Sequence, residues 1–281
     1  MSIRVSADST CDLSPALREK YDIAITPLHI LFDTDERLDG IDCTPEDMFA
    51  YTARSGKLCS TAAVTIAEYG DFFARELKTH EAVVHFTISS DMSSCYQNAR
   101  AAAADYPGQV YIIDARTLST GIGHLAIDAR LLADEGRTAS EIAAILTKKR
   151  EKLNVSFVLD TLEYLHKGGR CSGVAALGAN LLKLKPCIEL RDGKMEVGKK
   201  YRGTLKKSLE AYIRERLEGR GDIDYSRIFL TDSGVSDELR ESLHALVASL
   251  GDFEEIIHTQ AGATISGHCG PNCLGILYYN K

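Results

Sequence analysis

Ala82-Val83-Val84-His85-Phe86-Thr87-Ile88 runs without a break into Ser89-Ser90, and on to Ser93-Ser94. An apolar run of strand length with no polar alternation is expected of a strand buried on both faces, as in a parallel sheet covered by helices. Outward from it the pattern recurs. Val110–Ile113 ends in Asp114-Ala115-Arg116, and Ile3–Ala7 ends in Asp8-Ser9-Thr10. Helix signals lie between these runs. Ser14-Pro15 and Thr44-Pro45-Glu46-Asp47 each place an N-cap before a proline at the first helical position. Thr65-Ile66-Ala67-Glu68 and Thr138-Ala139-Ser140-Glu141 fit the capping box, in which hydroxyl and carboxylate each satisfy an orphan amide. Gly123–Glu135 reads as a helix ending near Gly136, and Ile23–Phe32 as a further β-rich stretch. This βαβα rhythm predicts a parallel sheet flanked by helices.

After about residue 154 the texture changes. Val155–Leu159 reads as a strand, followed by a small-residue stretch from Gly168 to Asn180. Cys187–Leu190 and Met195–Val197 flank Arg191-Asp192-Gly193-Lys194, and Asp-Gly between two strands signals a hairpin. Helices are expected at about Leu205–Glu218 and Asp237–Leu250, with strands at Arg227–Thr231 and Glu254–His258. The chain is therefore read as two α/β domains, 1–154 with a parallel sheet and 155–281 with a mixed sheet, the ligand lying at their interface.

The 281 residues carry 33 Lys+Arg and 40 Asp+Glu, a net charge of −7. That balance argues against a nucleic-acid binder, whose phosphate contacts need a basic excess. No apolar run reaches the roughly 18–20 residues needed to span a bilayer. Met1-Ser2-Ile3-Arg4-Val5 reads as the start of a strand and not as a signal peptide. The eight cysteines form no C-x-x-C pair, so a reducing cytoplasm and buried thiols are expected. Charge is segregated all the same. His166–Lys207 holds 11 Lys+Arg and 3 Asp+Glu, a local +8, which leaves −15 for the remainder. Such a segment is either a solvated face or a docking surface for something anionic.

Ligands of parallel α/β sheets sit outside the carboxyl ends of the strands, so the polar clusters ending the first three runs are candidate site residues as well as helix caps. Gly121-Ile122-Gly123-His124-Leu125-Ala126 matches the dinucleotide pattern only loosely. It follows a late strand, and a loop into a tightly packed helix is the simpler reading. His268-Cys269-Gly270-Pro271-Asn272-Cys273 lacks the second ligand pair of a structural zinc site. His268 stands between glycines, a turn-like setting that would expose an imidazole at a cleft. Gly168-Gly169-Arg170 and Lys200-Tyr201-Arg202-Gly203 each set a guanidinium beside glycine, which allows close approach to a carboxylate or phosphate.

Together these segments resemble the DegV family along essentially the whole chain. The resemblance rests on Asp8-Ser9-Thr10-Cys11-Asp12-Leu13, on Ile88-Ser89-Ser90-Asp91-Met92-Ser93 with Tyr96 and Asn98, and on Leu162–Arg170. It continues in Lys183-Leu184-Lys185-Pro186 and in Gly262–His268 with Gly270-Pro271 and Leu274-Gly275-Ile276. What it implies is a lipid-binding protein with no catalytic residues, cofactor or metal of its own. A long-chain fatty acid such as palmitate, stearate or oleate would lie in a buried tunnel. By the same resemblance Thr61 and Ser93 bind the carboxylate, with His268 and Arg170 nearby. Arg202, Lys199 and Lys200 would meet a separate fatty-acid kinase that converts the carboxylate to an acyl phosphate for lipid synthesis. No nucleic acid and no stable membrane insertion are implied, only transient membrane contact. Two departures stand out. The family's T-S-x-P-S is Thr61-Ala62-Ala63-Val64-Thr65 here, and Ser94-Cys95 replaces a usual Gly-Thr. The alternative is a small-molecule enzyme, an oxidoreductase or hydrolase, using the same interdomain cleft.

Overall fold

The computed structural model describes residues 2–171 and 184–281. Most of the small-residue stretch Gly168–Asn180 and Lys183 of the Lys183–Pro186 motif lie outside the described residues.

The chain opens with β1 (Ile3–Asp8), a 3-10 turn over Ser9–Cys11, and α1 (Pro15–Lys20), whose cap is Ser14 Oγ accepting from the Leu17 amide. The stretch read as one β-rich run is two strands, β2 (Ile23–Thr26) and β3 (His29–Leu31), in different sheets. Pro27 separates them. Lacking an amide hydrogen and holding φ fixed, it cannot continue a ladder, and the chain turns at that point. Next come β4 (Glu36–Leu38), α2 (Pro45–Ser55), β5 (Ser60–Ala62), α3 (Ile66–Glu76), β6 (Ala82–Thr87), α4 (Cys95–Ala103) and β7 (Val110–Asp114). The order β2-β1-β6-β7 is parallel throughout, and β4-β3-β5 is a small antiparallel sheet. The capping boxes predicted at Thr65–Glu68 and Thr138–Glu141 both form, and Thr44–Asp47 makes a third.

α5 (Thr120–Asp134) is buried on every side from Thr120 to Ala129, mostly by apolar and small residues, with Thr120, His124 and Asp128 each given a polar partner. It holds the loose glycine pattern, which is helix interior and not a phosphate loop. A Cβ on Gly123 would sit 2.8 Å from Leu13 Cδ2, so the glycine permits close packing on the turn after β1. His124, one residue on, bonds through Nε2 to the Leu277 carbonyl at 3.0 Å, tying the helix to the second sheet. Burial pushes its pKa down to about 4, so it is neutral.

α6 (Ala139–Lys149) leads into β8 (Leu153–Val158), α7 (Glu163–Gly168) and the hairpin of β9 (Leu184–Arg191) and β10 (Lys194–Arg202). At the hairpin tip Asp192 and Gly193 have φ of 48° and 82°, the left-handed pair a two-residue hairpin requires. α8 (Leu205–Leu217), β11 (Ile223–Asp232), α9 (Asp237–Leu250), β12 (Glu255–Gln260), α10 (Ala263–Cys269) and β13 (Leu274–Asn280) complete the chain. The second sheet, β10-β9-β8-β13-β11-β12, is mixed: β11 and β12 are parallel and the other pairs antiparallel. The fold is thus α/β, with a parallel sheet and a separate mixed sheet. One apolar cluster runs from Val5 and Val83 of the first sheet to Phe157 and Leu277 of the second.

Candidate functional site

Where the carboxyl ends of the first sheet face α10 there is a cavity of about 490 Å³. That lies within the roughly 300–1,000 Å³ range of small-molecule sites. Thr61, Ser93, Arg170 and His268 all line it. Each arrives on a different element. β5 carries Thr61 in register with Ile30 of β3. Ser93 precedes α4, where its Oγ accepts from the Cys95 amide at 3.3 Å. Arg170 follows α7, which ends at Gly169 with φ 69°, and its guanidinium donates to the Gly168 carbonyl at 2.7 Å.

His268 is not in a turn, as its glycine neighbours suggested. It lies in the last turn of α10, and its two glycines do different work. Gly267 is helical and lets α10 approach the Met48 side chain of α2, whereas Gly270, at φ 75°, ends the helix. The imidazole Nε2 lies 2.9 Å from Thr61 Oγ1. Nδ1 is buried with no hydrogen-bond partner among the described residues. Burial, with a smaller contribution from the Arg170 charge, lowers the His268 pKa to about 4. The ring is therefore neutral near pH 7, a hydrogen-bonding group and not a counter-ion.

α10 is pinned at its first turn by two carboxylates. Asp12 Oδ1 accepts the Gly262 amide and Asp39 Oδ1 the Ala263 amide, each at 2.8 Å. Ser119 donates to Asp12 at 2.5 Å and Ser9 to Asp39 at 2.8 Å. Burial drives the Asp12 pKa up to about 8 against the two bonds that favour its charged form, with Asp39 adding to the rise.

Of the predicted polar clusters only part reaches the cavity. Ser90, Ser93 and Ser94 line it. Asp8 points into the core, where it accepts from Tyr69 Oη at 2.6 Å, Thr26 Oγ1 at 3.1 Å and the Ile88 amide at 3.0 Å. Asp114 holds Ser90 Oγ at 2.6 Å. Ser89 donates to the Gly193 carbonyl at 2.7 Å, which lays the hairpin tip on the first sheet and brings Met195 of β10 into the cavity wall. Lys199, Lys200 and Arg202 are not among the lining residues. They sit on β10, an edge strand, where charge discourages pairing with other chains. Lys199 is paired with Glu215 at 2.6 Å, while Lys200 and Arg202 have no ion pair among the described residues.

Thr264 was not anticipated. It is four residues before His268 on the same helical face, lines the cavity, and has a buried hydroxyl without a partner among the described residues. The helical period would have exposed it had Ala263–Cys269 been read as a helix. Beyond Leu118, Ile265 and Cys269 the cavity abuts a smaller one, of about 20 Å³, walled by Val155, Phe157 and Leu277. The site thus has a polar head and an apolar continuation toward the second sheet. No cluster of three or more metal-ligating side chains occurs among the described residues, and none of the eight cysteines is in a disulfide.

The class the fold defines is an α/β protein with a parallel and a mixed sheet, and its cavity is lined by hydroxyls, an imidazole and apolar side chains. The profile described as "Uncharacterised protein, DegV family" matches residues 2–281. The chain belongs to the DegV family. A solved structure described as fatty acid binding of a DegV family protein from Thermus thermophilus superposes with a TM-score of 0.88 at 30% identity, covering 100% of both chains. A fatty acid-binding protein of Thermotoga maritima is 29% identical, over 98% of this chain and 96% of its own. A DegV domain-containing protein of Deinococcus radiodurans is 28% identical over 98% of each.

Proposed function

We propose that this chain binds a long-chain fatty acid, such as palmitate, stearate or oleate, between its two α/β units, residues 1–154 and 155–281. The observation that carries this reading is the cavity itself: Thr61, Ser93 and His268 head it, and apolar side chains continue it. A carboxylate at that head meets neutral donors, with Arg170 supplying positive charge nearby, because an unpaired buried ion is expensive. The acyl chain offers roughly 14–16 methylenes worth about 0.8 kcal/mol each, enough for tight binding after association costs. Thr264 adds a hydroxyl that the carboxylate can use.

No side chain here is assigned a catalytic role. The bound acid would be handed in the cytoplasm to a separate fatty-acid kinase, with Arg202, Lys199 and Lys200 on the β10 edge as its docking face. Native mass spectrometry of the gently purified protein tests the first claim. A co-purifying mass equal to a long-chain fatty acid, lost in the Thr61→Ala/Ser93→Ala variant, is expected; bound nicotinamide nucleotide, flavin or metal in its place overturns it and favours an enzyme. Charge reversal at Lys199, Lys200 and Arg202 tests the second. It should slow acyl-phosphate formation by the cognate kinase while the acid stays bound, and unchanged turnover sinks the docking face.

A further inference from the structure

On the other side of the hairpin lies a separate cavity of about 590 Å³ that the fatty-acid reading does not use. Three guanidinium-bearing residues from three elements converge on it: Arg116 from the loop after β7, Arg150 from the 3-10 turn before β8, and Arg191 at the end of β9. Arg116 holds a backbone φ of 50°, a left-handed conformation costly for a residue with a Cβ and one that accumulates at functional sites.

Their existing contacts leave much of the donor capacity free. The Arg116 guanidinium gives one bond, to the Asp192 carbonyl at 2.5 Å, while its backbone amide donates to Asp114 Oδ1 at 2.9 Å. Arg150 bonds the Asp114 carbonyl through Nη1, and its buried Nε–H has no partner among the described residues. Arg191 is shared with Glu189 at 2.8 Å and Glu196 at 3.7 Å. A guanidinium carries five N–H donors, so each retains several. Thr117, buried and with a hydroxyl lacking a partner among the described residues, lines the same cavity. Glu151 and Asp192 are the acidic side chains lining it, and Arg191 is already paired with Glu189 and Glu196, so Arg116 and Arg150 are the cations there without an ion pair among the described residues. Leu153, Val155 and Leu190 supply an apolar wall.

We propose that this cavity binds a small phosphate monoester, its dianionic phosphate held by Arg116, Arg150 and Arg191 and its organic part packed on Leu153, Val155 and Leu190. A phosphate suits it better than a carboxylate. The three arginines are carried by three separate elements, and a phosphate presents acceptor oxygens to several donors at once where a planar carboxylate serves one guanidinium well. The site is independent of the fatty-acid cavity, so the two readings stand or fall separately.

Calorimetric titration of the full chain with phenyl phosphate tests it, with inorganic phosphate, benzoate and phenol as comparison probes. Saturable one-to-one binding of phenyl phosphate is expected, about tenfold tighter than benzoate, with phenol not binding. Arg116→Gln and Arg191→Gln alter exposed side chains, so folding should persist, which circular dichroism verifies. Each should weaken binding about fivefold or more, and Thr61→Ala should leave it unchanged. Absence of saturable binding, equal affinity for phenyl phosphate and benzoate, or an Arg116→Gln/Arg191→Gln protein that binds like the parent overturns the proposal. So does displacement of phenyl phosphate by added fatty acid, which would place the probe in the first cavity.

Discussion

Thr61 and His268 stand 207 residues apart in the chain, and their side chains share a hydrogen bond of 2.9 Å. That bond joins the small antiparallel sheet to the last turn of α10 across the head of the cavity, and it is the one bond of the His268 ring among the described residues. Thr61→Val removes it and leaves both ring nitrogens buried and unpaired. The expected cost is about 1–3 kcal/mol in urea unfolding, together with reduced retention of bound fatty acid. Thr61→Ser should recover both. A Thr61→Val protein as stable as the parent would show that the bond contributes nothing.

Gly168 faces the other side of the same ring. A Cβ there would lie 2.5 Å from His268 Nδ1, closer than side chains tolerate. Gly168→Ala must therefore push the imidazole toward the cavity or shift α7. We expect lower fatty-acid occupancy by native mass spectrometry, although alanine is the better helix former by about 1 kcal/mol. Undiminished occupancy would mean that the ring is not held where the contact places it.

Asp12 makes stability depend on pH. Its carboxyl ordinarily titrates near 3.8 and burial raises it to about 8, so between these values the folded chain keeps a proton that the unfolded chain has lost. Asp12 therefore favours folding fully below about pH 4, and that contribution declines as pH rises toward about 8. The slope approaches about 1.4 kcal/mol per pH unit for one proton. Asp12→Asn removes the ionisation but keeps an acceptor for the Gly262 amide. The difference in unfolding free energy between variant and parent should accordingly shift in the variant's favour from about pH 5 to about pH 8. Parallel stability curves would refute this.

Gly193 is constrained twice, by a φ of 82° and by the 2.9 Å that would separate its Cβ from Ser89 Oγ. Gly193→Ala should cost about 1–3 kcal/mol through backbone strain and through disruption of the Ser89 bond to the hairpin. Ser89→Ala isolates the second part. Thermal unfolding of the two single variants and the double variant separates the contributions, and an additive double variant would indicate that the contacts are independent.

Much of the fold was legible because local chemistry and tertiary context agree. Asp237–Leu250 is the predicted helix residue for residue, and Asp192-Gly193 makes the predicted hairpin. The Ile23–Phe32 run was misread because composition favours strand throughout, and only Pro27 shows that its halves join different sheets. The β4-β3-β5 sheet rests on strands of three residues, too short for any period to emerge. At the site, the hydroxyl clusters are visible in the sequence but their direction is not: Asp8 ends one buried strand and Ser93 follows another, and the first turns into the core while the second lines the cavity. The glycines around His268 suggest a turn where the chain is helical, since Gly267 and Gly270 look alike in sequence and differ in backbone angle. Thr61 came from the family resemblance alone; nothing in Thr61–Thr65 marks it as facing a histidine on the last helix.

Ser89 holds the Gly193 carbonyl and Arg116 holds that of Asp192, and the strand beyond them brings Met195 to the cavity wall. Two such bonds contribute about 1 kcal/mol each, a small fraction of the stability of a domain. They fasten only the hairpin tip, because β9 is also paired with β8 and Ile188 and Met195 belong to the main apolar cluster. The two bonds couple the tip to the first sheet and to the loop after β7, so a change at Ser89 or at Arg116 is transmitted to the Met195 wall of the cavity.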